Sequence, residues 1–133
     1  MTKNTIAEKL VTAGIKPTRI RVALATMLLS GKDQHVTADS VVSIARQKGI
    51  RTSVASVYNT LNQFADCGLL KRIIVDHGPI FFDTNTDNHY HVYHENSGTL
   101  TDLPAETLQI TGIDEIPRTG TITGVDVIIR VSA

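Results

Sequence analysis

The stretch from residue 53 to residue 83, SVASVYNTLNQFADCGLLKRIIVDHGPIFFD, decides the fold because its apolar period changes part-way along it. Its first half carries apolar side chains at helical spacing, which predicts a helix with one inward, buried face, and these residues are Val54, Val57, Leu61, Phe64 and Ala65. Gly68 ends this pattern, and residues 69–75 and 80–82 are short apolar runs on either side of a turn signal. The stretch therefore predicts a helix followed directly by a β-hairpin.

Further helices are predicted before this stretch. Thr18, Thr37 and Ser53 are candidate N-caps, because a side-chain oxygen at that position accepts a hydrogen bond from an unpaired backbone N–H. A glycine follows the apolar stripe of each predicted helix, at Gly14, Gly31, Gly49 and Gly68. Helices followed by a hairpin predict an N-terminal winged-helix domain, which we assign to residues 1–84.

The remainder of the chain predicts strands rather than helices. Residues 84–88 are a polar linker, and residues 90–94, 99–103 and 125–131 have the composition of short strands. The fold class is therefore α+β, in which the winged helix is followed by a small α/β domain over residues 85–133.

Charge is divided unequally along the chain. Residues 1–75 contain 11 Lys or Arg and 4 Asp or Glu, whereas residues 76–133 contain 2 and 9. This division indicates a basic domain suited to a polyanion and an acidic domain suited to cations. No apolar run approaches the roughly 20 residues of a membrane span, and the first residues lack a secretory signal. We therefore expect a cytoplasmic protein with no membrane partner.

The outward face of the predicted fourth helix is suited to double-stranded DNA. Its side chains are small, hydrogen-bonding or flat, as close approach to base edges requires, and the candidates are Ser53, Ser56, Tyr58 and Asn59. Cations at helix entrances can contact phosphates, and these are Lys16, Arg19, Arg21 and Arg51. On chemistry alone, an ordinary solvated helix face explains the same residues equally well.

A histidine-rich segment, HYHVYH at residues 89–94, is the most distinctive chemical feature of the chain. In a strand, His89 and His91 point to the same face and can converge on one ion. Imidazole and carboxylate ligands together suit Fe, Mn or Zn. Candidates to complete the ligand set, more distant in sequence, are His35, Asp83 and Asp102. Clustered histidines on an exposed strand are the alternative explanation.

Four segments resemble the Fur superfamily of metal-dependent transcriptional regulators. They are residues 14–21 (GIKPTRIR), 35–39 (HVTAD), 53–61 (SVASVYNTL) and 67–69 (CGL). The match to the recognition helix departs from the superfamily pattern at Asn59, where arginine is usual, although asparagine suits the reading of adenine.

The resemblance implies a homodimer on a palindromic, AT-rich operator. It implies that Lys16 enters the minor groove and that bases are touched by Ser56, Tyr58 and Asn59. It also implies one divalent-metal site, whose ligands are His35, Asp83, His89, His91 and Asp102. The second domain would then serve dimerisation and ligand sensing.

Within the superfamily the chain is most similar to the iron response regulator subfamily. The matching segments are residues 57–61, 82–85, 102–104 and 125–127. His94 and Ser97 stand where most members carry a Cys-x-x-Cys pair, so a structural four-cysteine zinc site is not expected. The subfamily implies regulation of iron homeostasis and a response to haem as well as metal, for which the axial candidates are His89, Tyr90 and His91.

Two alternatives remain open. A peroxide-sensing repressor of the same superfamily would use the same residues, and a metal-binding protein without specific DNA affinity would use only the histidines. A His₂-carboxylate site also suits metal-dependent oxygenase chemistry, but no glycine-rich phosphate loop or cysteine–histidine nucleophile is present. We therefore predict that the protein is not an enzyme. Cys67, the single cysteine, is interpreted as a core residue.

Overall fold

The computed structural model describes residues 3–117 and 119–133. The chain divides into two compact units, and the division falls between Thr86 and Asp87. Among the described residues, no helix has the length and apolar character needed to cross a bilayer. The two units are described in turn.

The described part of the first unit contains four α-helices. They are α1 (Lys3–Thr12), α2 (Arg19–Leu29), α3 (Ala38–Gln47) and α4 (Val54–Asp66). The three predicted N-caps are confirmed: Thr18, Thr37 and Ser53 each accept a hydrogen bond from a backbone N–H in the first turn. At α3 this becomes a reciprocal capping box, because the Ser40 side chain also accepts from the Thr37 backbone N–H.

A small antiparallel sheet completes the winged helix. Its strands are β1 (His35–Val36), β2 (Lys71–Ile74) and β3 (Ile80–Asp83), in the spatial order β1-β3-β2. The predicted hairpin is β2 and β3, and it begins two residues later than the apolar run that predicted it. Strand β1 was not predicted, since two residues are too few to show a period. It pairs Val36 with Phe82 and His35 with Asp83.

The core of the first unit holds the inner faces of its helices and the centre of β3. Its largest fully buried apolar side chains are Ile6, Leu10, Leu24, Leu61, Phe64 and Phe82. Two sequence-based assignments are wrong. Val54 is 43% exposed, because the buried residues of α4 begin one turn later at Val57. Cys67 is exposed, since it is the C-cap residue and lies beyond Phe64, the last buried residue of α4.

The second unit is built on another three-stranded sheet. Its strands are β4 (Tyr90–His94), β5 (Thr99–Leu103) and β6 (Ile128–Val131), in the order β5-β4-β6. The first two match the predicted ranges, whereas the third begins at residue 128 instead of 125. Strand β5 pairs antiparallel with β4 and β6 pairs parallel with it. The described residues between β5 and β6 include two single 3-10 turns, Ala105–Thr107 and Ile113–Glu115.

Candidate metal ligands and the exposed face of α4

In the first unit, His35 and Asp83 form a partly buried pair. They lie opposite each other on β1 and β3, and His35 Nε2 is 3.1 Å from Asp83 Oδ2. Asp83 is only 1% exposed, while the His35 side chain is 15% exposed. The other carboxylate oxygen, Oδ1, accepts a hydrogen bond from the Asn85 backbone N–H at 2.9 Å. A buried carboxylate needs such partners, so Asp83 is held in one orientation by the fold itself.

In the second unit, three predicted ligands lie together on one face of the sheet. His91 is directly opposite Asp102 across β4 and β5, and the imidazoles of His89 and His91 are 4.5 Å apart. Asp102 Oδ1 lies 3.0 Å from His89 Nε2 and 3.6 Å from His91 Nε2. One potential ligand atom from each of the three residues lies within 4.8 Å of the others. Alternation along the strand produces this grouping, as the sequence predicted.

The second ring nitrogen of His89 shows why this group suits a cation. His89 Nδ1 lies 2.7 Å from the Asp87 carbonyl oxygen, which only accepts, so Nδ1 carries the hydrogen. In the neutral imidazole, Nε2 is then an acceptor facing another acceptor, Asp102 Oδ1. A metal cation between them removes the conflict, and so does a second proton on the ring, which makes the contact an ion pair. Two ligands each about 2.1 Å from an ion and at right angles lie about 3 Å apart, which is the separation found here.

The residues proposed from the sequence as haem ligands do not share one face. Tyr90 is buried and lies opposite Leu103, whereas its neighbours on either side in the sequence, His89 and His91, both approach Asp102. His94, near the other end of β4, lies 3.1 Å from the Thr101 hydroxyl. The sheet therefore presents a compact imidazole–carboxylate group and directs the Tyr90 phenol elsewhere.

The outward face of α4 presents the residues predicted from the sequence. Ser53, Ser56, Tyr58 and Asn59 are all exposed. Ser53 Oγ accepts from the Ser56 backbone N–H and donates to Ser56 Oγ, both at 3.1 Å. The Tyr58 side chain is 38% exposed, and its ring packs edge-on against Phe82 with 6.4 Å between centroids. Tyr58 thus joins the outer face of α4 to β3.

The predicted phosphate-binding cations differ in their surroundings. Lys16, Arg19 and Arg51 are exposed, whereas Arg21 is half-buried and donates from Nη1 to the Lys16 carbonyl at 3.0 Å. Arg21 therefore also closes the loop before α2. In the hairpin, the Arg72 guanidinium forms an ion pair with Asp66 at the end of α4. This contact is a second link between the hairpin and α4.

Sequence reasoning missed the residues that orient these groups. Asn85 and Asp87 act through their backbone atoms, and such contacts leave no residue-type signal. The contact between Tyr58 and Phe82 joins residues 24 positions apart on different elements, which no helical or strand period relates. The backbone between β3 and β4 therefore orients one candidate ligand in each unit. Asn85 orients Asp83 in the first unit, and Asp87 orients His89 in the second.

The model of the ferric uptake regulator family matches residues 12–121. This chain belongs to that family. The match includes all four segments on which the sequence resemblance rests, and the α4-and-hairpin architecture agrees with it. The narrower placement among iron response regulators receives no such match.

Relatives and solved structures agree with this placement. The peroxide-responsive repressor PerR of Staphylococcus epidermidis is 37% identical over 91 residues, which are 68% of this chain and 60% of that protein. The chain thus spans about 60% of the length of the curated relatives it matches. The ferric uptake regulator of Pseudomonas aeruginosa, solved with manganese, has a TM-score of 0.75 and 26% identity over 100% of this chain and 98% of that one. The ferric uptake regulator of Francisella tularensis, solved with iron, has a TM-score of 0.74 and 24% identity, and the match covers 90% of this chain and 92% of that one. At this identity, the similarity shows that the two chains share a fold.

Proposed function

We propose that this chain is a metal-responsive, sequence-specific DNA-binding transcriptional regulator of iron homeostasis. The observation that carries the proposal is the His89, His91 and Asp102 group, in which one carboxylate oxygen lies 3.0 Å from His89 Nε2 and 3.6 Å from His91 Nε2. Membership of the ferric uptake regulator family and the polar, exposed face of α4 give this group a DNA-binding context.

The regulatory site joins one group of ligands from each unit. The first unit contributes His35 and Asp83, and the second contributes His89, His91 and Asp102. Neither group alone supplies the five or six nitrogen and oxygen ligands common for Fe²⁺ or Mn²⁺, whereas the two groups together suit Fe, Mn or Zn. Metal binding by this ligand set would change the DNA affinity of the chain by a coupling free energy, and this is how binding would control activity.

DNA is bound by the first unit, within the predicted domain of residues 1–84. Helix α4 lies in the major groove, where the small hydroxyl and amide side chains and the Tyr58 ring meet base edges and thymine methyls. Phosphates are met by Lys16, Arg19, Arg21 and Arg51. Residues 85–133 form the dimerisation and sensing domain, and the homodimer places two α4 helices on the half-sites of a palindromic, AT-rich operator.

Strand β3 supplies a route from the metal ligands to α4. Asp83 is a candidate ligand, and the preceding residue, Phe82, is fully buried and contacts the Tyr58 ring. Phe82 also lies opposite Arg72, whose guanidinium is paired with Asp66 of α4. A shift of β3 on metal binding would therefore be transmitted to the middle and the end of the DNA-reading helix.

Iron response is our first assignment within the family, because the chain has one cysteine and so lacks the cysteine pair of most members. Haem sensing belongs to that assignment by resemblance, although the compact His89 and His91 group favours a single non-haem ion. The second candidate is peroxide sensing, which is favoured by the PerR relatives at 35–37% identity. His89 and His91 would hold Fe²⁺, whose oxidation to Fe³⁺ by peroxide would supply the sensing chemistry, and Mn²⁺ would supply it less readily.

Fluorescence anisotropy of metal-free protein on iron-regulated promoter DNA tests the proposal, with additions of Mn²⁺, Fe²⁺ and haem. We expect specific binding that changes at least about tenfold on metal addition. Release by metal or haem identifies the iron response mode, and tightening identifies the ordinary mode of the family. Peroxide that acts on the Fe²⁺ form and spares the Mn²⁺ form identifies the second candidate. Absence of specific binding under every condition contradicts the proposal.

A further inference from the structure

The first unit contains a groove that none of the proposed metal or base contacts uses. It runs along α2 against residues 48–51 and encloses about 620 Å³, a volume within the range typical of small-molecule sites. Its apolar floor consists of Val22, Ala23, Met27 and Ile50. A neighbouring depression shares its α2 side and extends it to Arg51.

The charged side chains of the groove are all cationic. Arg19 and Lys48 stand at its rim, Arg51 lies in the adjoining depression, and all three side chains are exposed. Among the described residues that line the groove and its extension, none is acidic. The hydroxyls on the α2 side are engaged, since Thr26 donates to the Val22 carbonyl at 2.7 Å and Ser30 donates to the Thr26 carbonyl.

We propose that this groove binds a small amphipathic anion, a monocarboxylate with an aliphatic chain. The apolar floor gives a phosphodiester backbone or an inorganic anion nothing to contact, whereas an alkyl chain buries apolar surface there. The carboxylate meets the guanidinium or ammonium groups at the rim, where charge-assisted hydrogen bonds form. Met27 suits such a floor because its flexible thioether adapts to chains of different shape.

Binding in this groove competes with DNA, a consequence that rests on the proposed function. Arg19 and Arg51 are both assigned to phosphate contacts, and a bound carboxylate neutralises part of their charge. The anion would therefore act as an effector that weakens operator binding from a site within the first unit, independently of the metal ligands. Binding of the anion itself does not depend on the DNA assignment and is measured without DNA.

The first test is calorimetric titration of the full chain with decanoate, well below its micelle-forming concentration, with decanol and butyrate as matched probes. We expect decanoate to bind and each control probe to bind at least about tenfold more weakly, since each lacks one of the two recognition elements. Equal binding of decanol or of butyrate overturns the proposal, as does no binding of decanoate.

Variants locate the site. Lys48→Gln removes a rim charge that is assigned no DNA contact, and we expect it to weaken decanoate binding at least about fivefold. Ala23→Trp fills the floor and should abolish binding, with folding checked by its circular dichroism spectrum. The control is Lys9→Gln, an exposed lysine on α1 outside the groove, which should leave the affinity unchanged. Equal weakening by Lys9→Gln, or unchanged binding in Ala23→Trp, overturns the assignment.

The effector role is read from anisotropy on promoter DNA. Decanoate should release the wild-type protein from DNA and fail to release Ala23→Trp. If decanoate binds the protein but leaves DNA affinity unchanged, the effector role is wrong and the binding site stands. If no promoter DNA is bound at all, the proposed function is wrong, and the calorimetric titration still shows whether the groove binds decanoate.

Discussion

The two groups of candidate ligands differ in how firmly the fold holds them. In the first unit, Asp83 is almost wholly buried, lies opposite His35 at the end of the central strand β3, and has its second oxygen fixed by Asn85. In the second unit, the Asp102 side chain is 50% exposed and faces two imidazoles. The first group is part of the core, and the second is a surface-connected group of two imidazoles and a carboxylate that can share one cation. Their substitutions should therefore have different consequences.

The largest effect, a loss of Mn²⁺ affinity, should come from substitutions in the second ligand group. The double substitution His89→Ala/His91→Ala removes two of the proposed ligands and should lower Mn²⁺ affinity by at least about 100-fold, since even supporting residues of metal sites contribute 10- to 100-fold. Calorimetric Mn²⁺ titration measures this. DNA binding should lose its response to metal while the far-ultraviolet circular dichroism spectrum is retained. A double variant that still responds fully would place the sensor elsewhere.

The contrast between the two carboxylates is sharpened by Asp83→Asn and Asp102→Asn. Both should weaken Mn²⁺ binding, because each removes a charged oxygen ligand. Only Asp83→Asn should also lower the metal-free free energy of unfolding, by about 1–3 kcal/mol, because it disrupts a buried hydrogen-bonded group. Asp102→Asn should change it by less than about 0.5 kcal/mol, as expected for a surface site. Urea denaturation of both variants checks this, and equal losses of stability would remove the distinction.

Tyr58→Ala tests whether the first unit reads DNA independently of metal affinity. We expect specific operator binding to weaken about tenfold, in line with the cost of losing one good base contact, while Mn²⁺ affinity is unchanged. Tyr58→Phe is the matched control, because it keeps the ring that packs on Phe82 and removes only the hydroxyl. Unchanged operator affinity in Tyr58→Ala would rule out the readout role.

The smallest effect should come from Thr37, the N-cap that follows β1. Its hydroxyl accepts from the Ser40 backbone N–H at 3.1 Å, and Thr37→Ala should lower the free energy of unfolding by about 1 kcal/mol. Thr37→Ser keeps the cap and should lie much closer to wild type. Because Thr37 is adjacent to Val36 and two residues from His35, this comparison also measures how far the first ligand group depends on the start of α3. Equal free energies of unfolding in Thr37→Ala and Thr37→Ser would show that the cap does not stabilise the protein.

Local patterns predicted most of the elements, and long-range pairing explains what they missed. The N-caps, the hairpin and the ranges of β4 and β5 follow from rules that act over a few residues. The common face of His89 and His91 follows from strand alternation and is confirmed by their shared approach to Asp102. The pairing of His35 with Asp83 joins positions 48 residues apart, and no local period specifies such a partner.

The burial of individual side chains was predicted from the sequence less reliably than the helices and strands. Val54 continues the apolar stripe of α4, yet an apolar residue is buried only where another element covers it, and none of the described elements covers the first turn on that side. Cys67 fails for a similar reason at the other end of the helix. The complete set of metal ligands and the DNA contacts stay predictions, because residue types alone do not fix which side chains bind the same ligand.

The central claim is that one metal ion is held jointly by both ligand groups. The most direct test is calorimetric Mn²⁺ titration of the metal-free wild type, of Asp83→Asn in the first unit and of His91→Ala in the second. We predict one high-affinity ion per chain in the wild type, with affinity lost in both variants to a similar degree. Two independent ions per chain, or loss in only one of the variants, would contradict the claim.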